Sequence, residues 1–280
     1  LGAQRVTVKG IHFHATADSG GNYNPHICHT AACTGYTFED CIFTSDAGEY
    51  ATRKWFWGAG GFYSGNLTIR NCQIGKGDDG YGSWGIADIN TGSSHTVNTL
   101  LATIEFDRNL FLNNAGSIAV RGNPASPNLL GKFTGNVFRL DTGKSLHAYF
   151  WAVIEFNNFN KVLITDNTVV CPKLVGDDNC FVQTWSKSKF PWVIRYRGNN
   201  ITGFNVGISI PCAAGFYAPH HNASDFSIAH NTHTDVDKQG SWLWDSNLSA
   251  LVGTYAPENA DPFDHIPHGL TSGTVLGPDS

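Results

Sequence analysis

A phrase of alternating apolar and polar residues recurs eight times along the chain, and this repeat limits the folds open to it. A clear copy is "LTIRNCQI" at 67–74. When the copies are aligned, their sixth positions lie 30, 31, 37, 27, 31, 32 and 32 residues apart. Those sixth residues are Ile11, Cys41, Cys72, Asn109, Asn136, Asn167, Asn199 and Asn231. A period in this range indicates a solenoid, in which each repeat buries its apolar face against its neighbours.

Each copy of the phrase predicts two short strands that meet at a corner. Its apolar residues recur with the period of a β-strand and not with that of a helix. Asn suits the corner, because its side chain can hydrogen-bond backbone groups that the bend leaves without partners. Stacked strands would also place Lys9, Glu39, Arg70 and Asp107 side by side. Their charges alternate in sign, which favours this stacking.

The whole pattern resembles the right-handed parallel β-helices of the pectate-lyase-like superfamily, which carry an Asn ladder at one corner. The resemblance covers roughly residues 6–245. It implies an all-β fold, a right-handed, single-stranded parallel β-helix (a solenoid) of about eight coils. We expect the β-helix to span residues 1–252. Residues 253–280 contain four prolines and are expected to form a tail on or beyond the last coil.

A second series of predicted strands follows the corners and is rich in aromatic residues. Its members are "KWFWG" from Lys54, "WGIADI" from Trp84, "SIAVRG" from Ser117, "HAYFWA" from His147, "CFVQTW" from Cys180, "VGISIP" from Val206 and "SWLWD" from Ser241. Strand alternation assigns some of these rings to the core, while exposed rings would stack on the flat apolar faces of sugars. The candidate sugar-binding residues are Trp57, Trp151, Trp185, Trp244 and Lys187.

Ionisable residues on the same segments indicate the chemistry of a polysaccharide lyase. A lyase removes a proton beside a carboxylate, so it needs a base and a positive group that neutralises the carboxylate. Arg121, His147 and Tyr149 are the candidate catalytic residues. Asp88 is the candidate ligand of a cation, and the predicted cation is Ca2+. No other cofactor is predicted. Solvated charges on a β-sheet are the alternative interpretation of each residue.

A hydrolase would need two carboxyl groups in place of the base. The stretch "VGDDNC" offers Asp177 and Asp178, which are the second choice of catalytic residues. It is similar to the Gly-Asp-Asp-Cys stretch of polygalacturonases, although Asn179 stands before the cysteine. The other motifs of that family, Asn-Thr-Asp, Gly-His-Gly and Arg-Ile-Lys, do not occur in the sequence. A lyase is therefore favoured over a hydrolase.

Cysteine usage and glycosylation sequons favour an oxidising, extracellular setting. Two pairs among the seven cysteines are spaced for small disulfides: Cys28 with Cys33, and Cys171 with Cys180. Cys41 and Cys72 lie inside the repeat and are interpreted as buried free thiols. The Asn-x-Ser/Thr sequons are at Asn66, Asn200, Asn222 and Asn247. We expect the protein outside the cell or on a cell or virion surface.

Charge and hydropathy exclude two classes of partner. The net charge of −5 and the lack of a Lys/Arg run argue against nucleic acid, and no apolar segment is long enough for membrane insertion. The favoured hypothesis is an extracellular carbohydrate-active protein that binds an acidic polysaccharide and cleaves it with the candidate catalytic residues. The alternative is a non-catalytic β-helix subunit of a fibre, filament, adhesin or surface assembly, which self-associates through its coil ends.

Overall fold

The protein is built from stacked parallel β-strands. The computed structural model describes residues 5–15, 27–29, 35–45, 54–58, 66–75, 85–90, 102–113, 118–122, 129–141, 152–157, 159–171, 180–185, 193–203, 206–211, 225–234, 238–243, 252–254, 267–268 and 274–275. Every regular element in these ranges is a strand, so none of them is a helix that could cross a bilayer. This all-β architecture is consistent with the predicted parallel β-solenoid.

The first sheet consists of the first strand of each phrase, and its eight strands are parallel and stacked in sequence order. They are β1 (Val6–Lys9), β4 (Gly35–Glu39), β7 (Asn66–Arg70), β10 (Ala102–Asp107), β13 (Leu129–Thr134), β16 (Lys161–Thr165), β19 (Val193–Arg197) and β22 (Asp225–Ala229). The register of these strands confirms the alignment of the phrases. Phe38 is the Cα partner of Val8 and Ile69. Phe133 is the Cα partner of Phe106 and Ile164.

The second sheet consists of the strand that follows each corner, and it is also parallel with eight strands. They are β2 (His12–Ala15), β5 (Ile42–Ser45), β8 (Gln73–Gly75), β11 (Leu110–Leu112), β14 (Val137–Arg139), β17 (Thr168–Val170), β20 (Asn200–Thr202) and β23 (Thr232–Thr234). Phe111 is the Cα partner of Ile74 and Phe138, as the phrase alignment predicts.

The third sheet contains the predicted aromatic-rich series. Its strands are β3 (Ile27–His29), β6 (Lys54–Gly58), β9 (Gly85–Asn90), β12 (Ile118–Arg121), β15 (Ala152–Asn157), β18 (Cys180–Trp185), β21 (Val206–Pro211), β24 (Lys238–Leu243) and β25 (Val252–Thr254). All neighbours are parallel except β24 and β25, which are antiparallel. A separate antiparallel pair is formed by β26 (Pro267–His268) and β27 (Thr274–Val275).

The core lies between the three sheets and is dominated by phenylalanine. Phe111 stacks on Phe138 at 4.5 Å between ring centroids, and Phe133 contacts Phe181 of the third sheet edge to face at 6.3 Å. Gly131 occupies a core-facing position because the Phe156 ring fills the space beside it. A Cβ at Gly131 would lie 2.5 Å from that ring. Each repeat therefore buries its apolar columns against its neighbours, as a solenoid requires.

The corner between the first and second sheets is built from one left-handed residue followed by one buried residue. The left-handed residues include Asn71 (φ 52°) and Gly135 (φ 63°). The next residue points inward, and its side chain accepts a hydrogen bond from the corner N–H of the preceding repeat, as in the bond from Cys72 N to Asn109 Oδ1 at 2.9 Å. We call this series the corner ladder: Cys41, Cys72, Asn109, Asn136, Asn167, Asn199 and Asn231.

Two strands of the third sheet lie where the sequence did not predict them. The segment "HAYFWA" predicts a strand from His147, whereas β15 begins at Ala152. Val153, Ile154 and Phe156 on β15 are fully buried, which favours a strand in this segment. Residues 147–151 lie outside the described part of the chain. Strand β3 is absent from the predicted series, because its three residues are too few to show an alternating pattern.

The cysteines give one confirmation and one correction. Cys41 and Cys72 are buried free thiols, as expected. Cys171 is also a buried free thiol, and its Sγ donates to the Thr202 carbonyl oxygen at 3.1 Å. The disulfide between Cys171 and Cys180 expected from their spacing is therefore not formed in the structure. Cys28 lies on β3 and Cys33 lies outside the described residues, so their pairing stays a prediction.

Candidate functional site

One register column of the third sheet contains two of the predicted site residues. Trp57 on β6 and Asp88 on β9 are Cα partners, and Ala119 on β12 is the next partner of Asp88. The column continues through Glu155 on β15 and Gln183 on β18. Glu155 and Asp88 are thus two strands apart, with a Cα separation of about 9.6 Å for a regular sheet. Register therefore assembles an aromatic residue and two acidic residues from three distant segments.

Glu155 is a candidate that sequence reasoning missed. It is half-buried on β15, in the same column as Asp88. The predicted segment "HAYFWA" ends at Ala152, so Glu155 was not among the predicted site residues. The alternation in "AVIEFN" is the signal that could have identified it, since Ile154 and Phe156 flank Glu155 and are both fully buried.

A second register row of the third sheet contains the candidate catalytic residue Arg121. Arg121 at the end of β12 is the Cα partner of Asn90 on β9 and of Asn157 on β15. Asn157 is in turn the partner of Trp185 on β18. The row lies two residues along the strands from the Asp88 column. The backbone thus brings Arg121, Trp185 and Asp88 into one small part of the sheet.

Several predicted site residues cannot be placed beside them. The predicted residues outside the described part of the chain are His147, Tyr149, Trp151, Asp177, Asp178, Lys187, Trp244, Asn222 and Asn247. Two predicted glycosylation sites are described: Asn66 begins β7 and Asn200 begins β20, and both are exposed. Exposure is what a glycosylation site requires, and their modification stays a prediction.

The first sheet brings together a group of basic residues that lie far apart in the sequence. On β13, β16 and β19 the residues that alternate with the buried positions are Leu130, Lys132, Thr134, Lys161, Leu163, Thr165, Val193, Arg195 and Arg197. We call these nine residues the basic grid. Four of them are cationic and none is acidic. Because they come from segments about 30 residues apart, no Lys/Arg run appears in the sequence, and the period of the repeat is the only signal that unites them.

The other half of the first sheet is charge-balanced. Glu39 Oε2 lies 3.0 Å from Arg70 Nη2, and Glu39 Oε1 lies 3.5 Å from Lys9 Nζ. The hydrogen bond from Arg70 lowers the pKa of Glu39, and the hydrogen bond to Asp40 raises the pKa of Lys9. The predicted alternation of charges along this column is confirmed. Its cations already have carboxylate partners.

Two histidines share one hydroxyl on the second sheet. His12 Nε2 and His14 Nδ1 lie 2.7 and 2.9 Å from Thr44 Oγ1. Within the described ranges, no three His, Cys, Asp or Glu residues come together as a metal site. Cys72 and Cys171 are also unsuited to nucleophilic chemistry, because burial raises the pKa of each thiol to about 12.

In comparisons with known proteins, no family model, curated protein or solved structure matches the chain. The inferences about function therefore depend on the geometry of the third sheet and on the charges of the first.

Proposed function

We propose that the chain is a right-handed parallel β-helix of eight coils with the architecture of the pectate-lyase-like superfamily. The proposal is supported by the three sheets, in which every third strand is a neighbour, and by the corner ladder. Eight parallel strands in each of the first two sheets correspond to eight coils. The right-handed connection is the form that parallel strands joined by crossovers almost always adopt.

We further propose that the protein acts outside the cell or on a cell or virion surface and binds an acidic polysaccharide along the third sheet. The observation that carries this proposal is the register of Trp57 with Asp88 and of Arg121, through Asn157, with Trp185. Aromatic rings stack on sugar rings, while polar and charged groups bind hydroxyls and carboxylates. The third sheet combines both kinds of residue within neighbouring repeats.

The reaction proposed is β-elimination at a uronate residue. Arg121 would neutralise the substrate carboxylate, which makes the neighbouring C–H more acidic. His147 or Tyr149 would remove that proton, and the electron pair of the C–H bond would form the C=C bond of the unsaturated product. The bond to the leaving sugar oxygen would break, and that oxygen would take up a proton from water or from the protonated base. Asp88 as a Ca2+ ligand stays a prediction.

A panel of uronate-containing polysaccharides tests this function. We expect the ultraviolet absorbance of an unsaturated product to rise with the wild-type protein and to be lost with Arg121→Ala. Arg139→Ala is the control, because Arg139 is an exposed arginine of the second sheet that pairs with Asp141 at 2.8 Å. If neither unsaturated products nor new reducing ends form on any polymer, the protein is not a lyase or hydrolase of these substrates.

A structural subunit is the second candidate, and the end of the stack at β1, β2 and β3 favours it. These three strands are the edges of the three sheets. Ile11, at the corner between β1 and β2, is 45% exposed. Exposed sheet edges are natural sites for association with further strands. Concentration-dependent filaments in electron microscopy would support this candidate, and a monomer at all concentrations would contradict it.

A further inference from the structure

The strongest feature outside the third sheet is the basic grid of the first sheet. Leu163 lies at its centre, and its Cα partners on the two neighbouring strands are Lys132 and Arg195. Two residues earlier on the same strand, Lys161 has Leu130 and Val193 as partners. Basic and aliphatic residues therefore alternate in these two rows across three strands, and the third row consists of Thr134, Thr165 and Arg197.

The grid differs from its surroundings in charge. Within the described ranges its acidic neighbours lie at its border: Glu105 on β10, Asp166 at the corner after β16, and Asp225 on β22. Glu105 Oε1 lies 3.7 Å from Lys132 Nζ, at the edge nearest the balanced half of the sheet. Inside the grid Lys161 is exposed, and Arg195 donates from Nη1 to the Ile194 carbonyl oxygen at 3.2 Å. The centre of the grid is thus a cationic surface in a chain whose net charge is −5.

We propose that the basic grid binds a carboxylated polysaccharide, and this inference rests on the proposed function for the class of ligand. A uronate chain presents one carboxylate on each ring beside apolar C–H surface, so both the basic and the aliphatic residues have a counterpart. Arginine binds a carboxylate through two parallel hydrogen bonds, and lysine binds it as a point charge. Neighbouring cations are about 7–10 Å apart along the grid, from strand spacing and residue rise.

Charge density favours this polymer over nucleic acid. Double-stranded DNA carries one charge per about 1.7 Å, and proteins that bind it neutralise about 6–10 phosphates. The grid offers four cations, and the rest of the chain is net acidic and would repel a dense polyanion. A polymer with one charge per sugar ring matches the spacing of the grid better.

The grid also adjoins the candidate site on the third sheet. Strand β15 ends at Asn157, which is the Cα partner of Arg121, and β16 begins at Lys161. Between them Phe159 is fully buried, which holds this short connection against the core. A single polysaccharide chain bound at the ends of the third-sheet strands would therefore reach the grid at Lys161.

Binding of polygalacturonate, with dextran as the neutral polymer, tests the inference by calorimetry at low salt. The double variant Lys161→Gln/Arg195→Gln should bind polygalacturonate about tenfold more weakly. The matched control is Lys9→Gln/Arg139→Gln, which removes an exposed lysine and an exposed arginine elsewhere and should bind like the wild type. Thermal unfolding of both variants checks that they remain folded.

The outcomes separate the inference from the proposed function. Binding that the grid variant leaves unchanged would overturn the inference and leave the third sheet as the binding site. Wild-type protein that binds no polyuronate would overturn both proposals. Grid-dependent binding without unsaturated products would support the inference and contradict the lyase. Grid-dependent binding of single-stranded DNA that is as tight as polygalacturonate binding would overturn the choice of ligand.

Discussion

The corner ladder has two parts that are equally buried but differ in their hydrogen bonds. In the asparagine part, Asn199 Oδ1 accepts from Asn167 N at 3.1 Å and from Asn167 Nδ2 at 2.8 Å, while Asn199 Nδ2 donates to the Ile164 carbonyl oxygen at 2.9 Å. In the thiol part, Cys41 N donates to Cys72 Sγ at 3.4 Å. Cys72 Sγ then contacts the carbonyl oxygens of Phe38 and Arg70.

The difference shows that burial alone does not define this corner. Cys41 and Cys72 are 1% and 2% exposed, and Asn109, Asn136, Asn167 and Asn199 are each 1% exposed. A carboxamide has an acceptor and two donors, whereas a thiol is a weak donor and a weak acceptor. The asparagine part therefore satisfies its corner backbone with strong hydrogen bonds, and the thiol part does so with weak ones. We expect the repeats nearest β1 to be held less firmly at the corner.

The largest effect is expected from Asn199→Ala. The change removes the acceptor of the Asn167 N–H and the donor of the Ile164 carbonyl, and each orphaned buried group costs about 1–3 kcal/mol. We expect the free energy of unfolding in urea to fall by about 3–5 kcal/mol. The matched control is Asn200→Ala, one residue further on and exposed, which should change it by less than about 0.5 kcal/mol.

Equal losses for Asn199→Ala and Asn200→Ala would contradict the role given to the ladder. The result would mean that the corner backbone groups find hydrogen-bond partners without the carboxamide. The difference between the asparagine and thiol parts of the ladder would then not affect the free energy of unfolding.

Most of the fold could be predicted from sequence, because the repeat itself carries the information. The phrase around Ile69, Phe106 and Phe133 aligns without gaps, and the same residues are Cα partners in the first sheet. The third sheet was harder to predict, since its strands follow loops of unequal length and no fixed offset locates β15. The candidate site lies on this sheet, so its residues were also harder to predict, and Glu155 on β15 is an example. The basic grid depends on register between distant segments, which the sequence reveals only after the repeat is aligned.

Alkaline pH should destabilise the protein through its buried thiols. Burial raises the pKa of Cys72 and Cys171 from 9.0 to about 12, so each thiol ionises more readily in the unfolded chain. Their contribution to stability is complete below about pH 9 and is lost as pH rises through 12, at up to about 1.4 kcal/mol per pH unit for each thiol. Urea unfolding across this range should show a shallower pH dependence for Cys171→Ala than for the wild type. An identical dependence would mean that Cys171 ionises equally in both states.

A smaller effect, of opposite sign, is expected from Cys72→Asn. An Asn at this position would extend the asparagine part of the ladder by one repeat, with its oxygen accepting from Cys41 N and its amide donating to the Phe38 carbonyl. One stronger hydrogen bond should raise the free energy of unfolding by about 1 kcal/mol. Cys72→Ala, which removes the thiol without a replacement, should lower it. Destabilisation by both changes would show that the thiol part of the corner is shaped for sulfur and cannot accept an amide.

The smallest effect is expected from Ile11→Asn, although Ile11 occupies the same position of the phrase as the ladder residues. It is 45% exposed, because β1 and β2 are the edges of their sheets. Among the described residues no corner N–H precedes it for an Asn to accept from, so the free energy of unfolding should change by less than about 0.5 kcal/mol. A head-to-tail stack of two copies would instead place Ile11 of one copy next to Asn231 of the other. The ladder needs an acceptor at that point and isoleucine has none, so the side-chain ladder would not continue from one copy to the next. If Ile11→Asn promoted filaments in sedimentation or electron microscopy, isoleucine at this position would be the feature that stops the ladder from continuing between molecules. If the wild type already formed them, the ladder would not control association at this end.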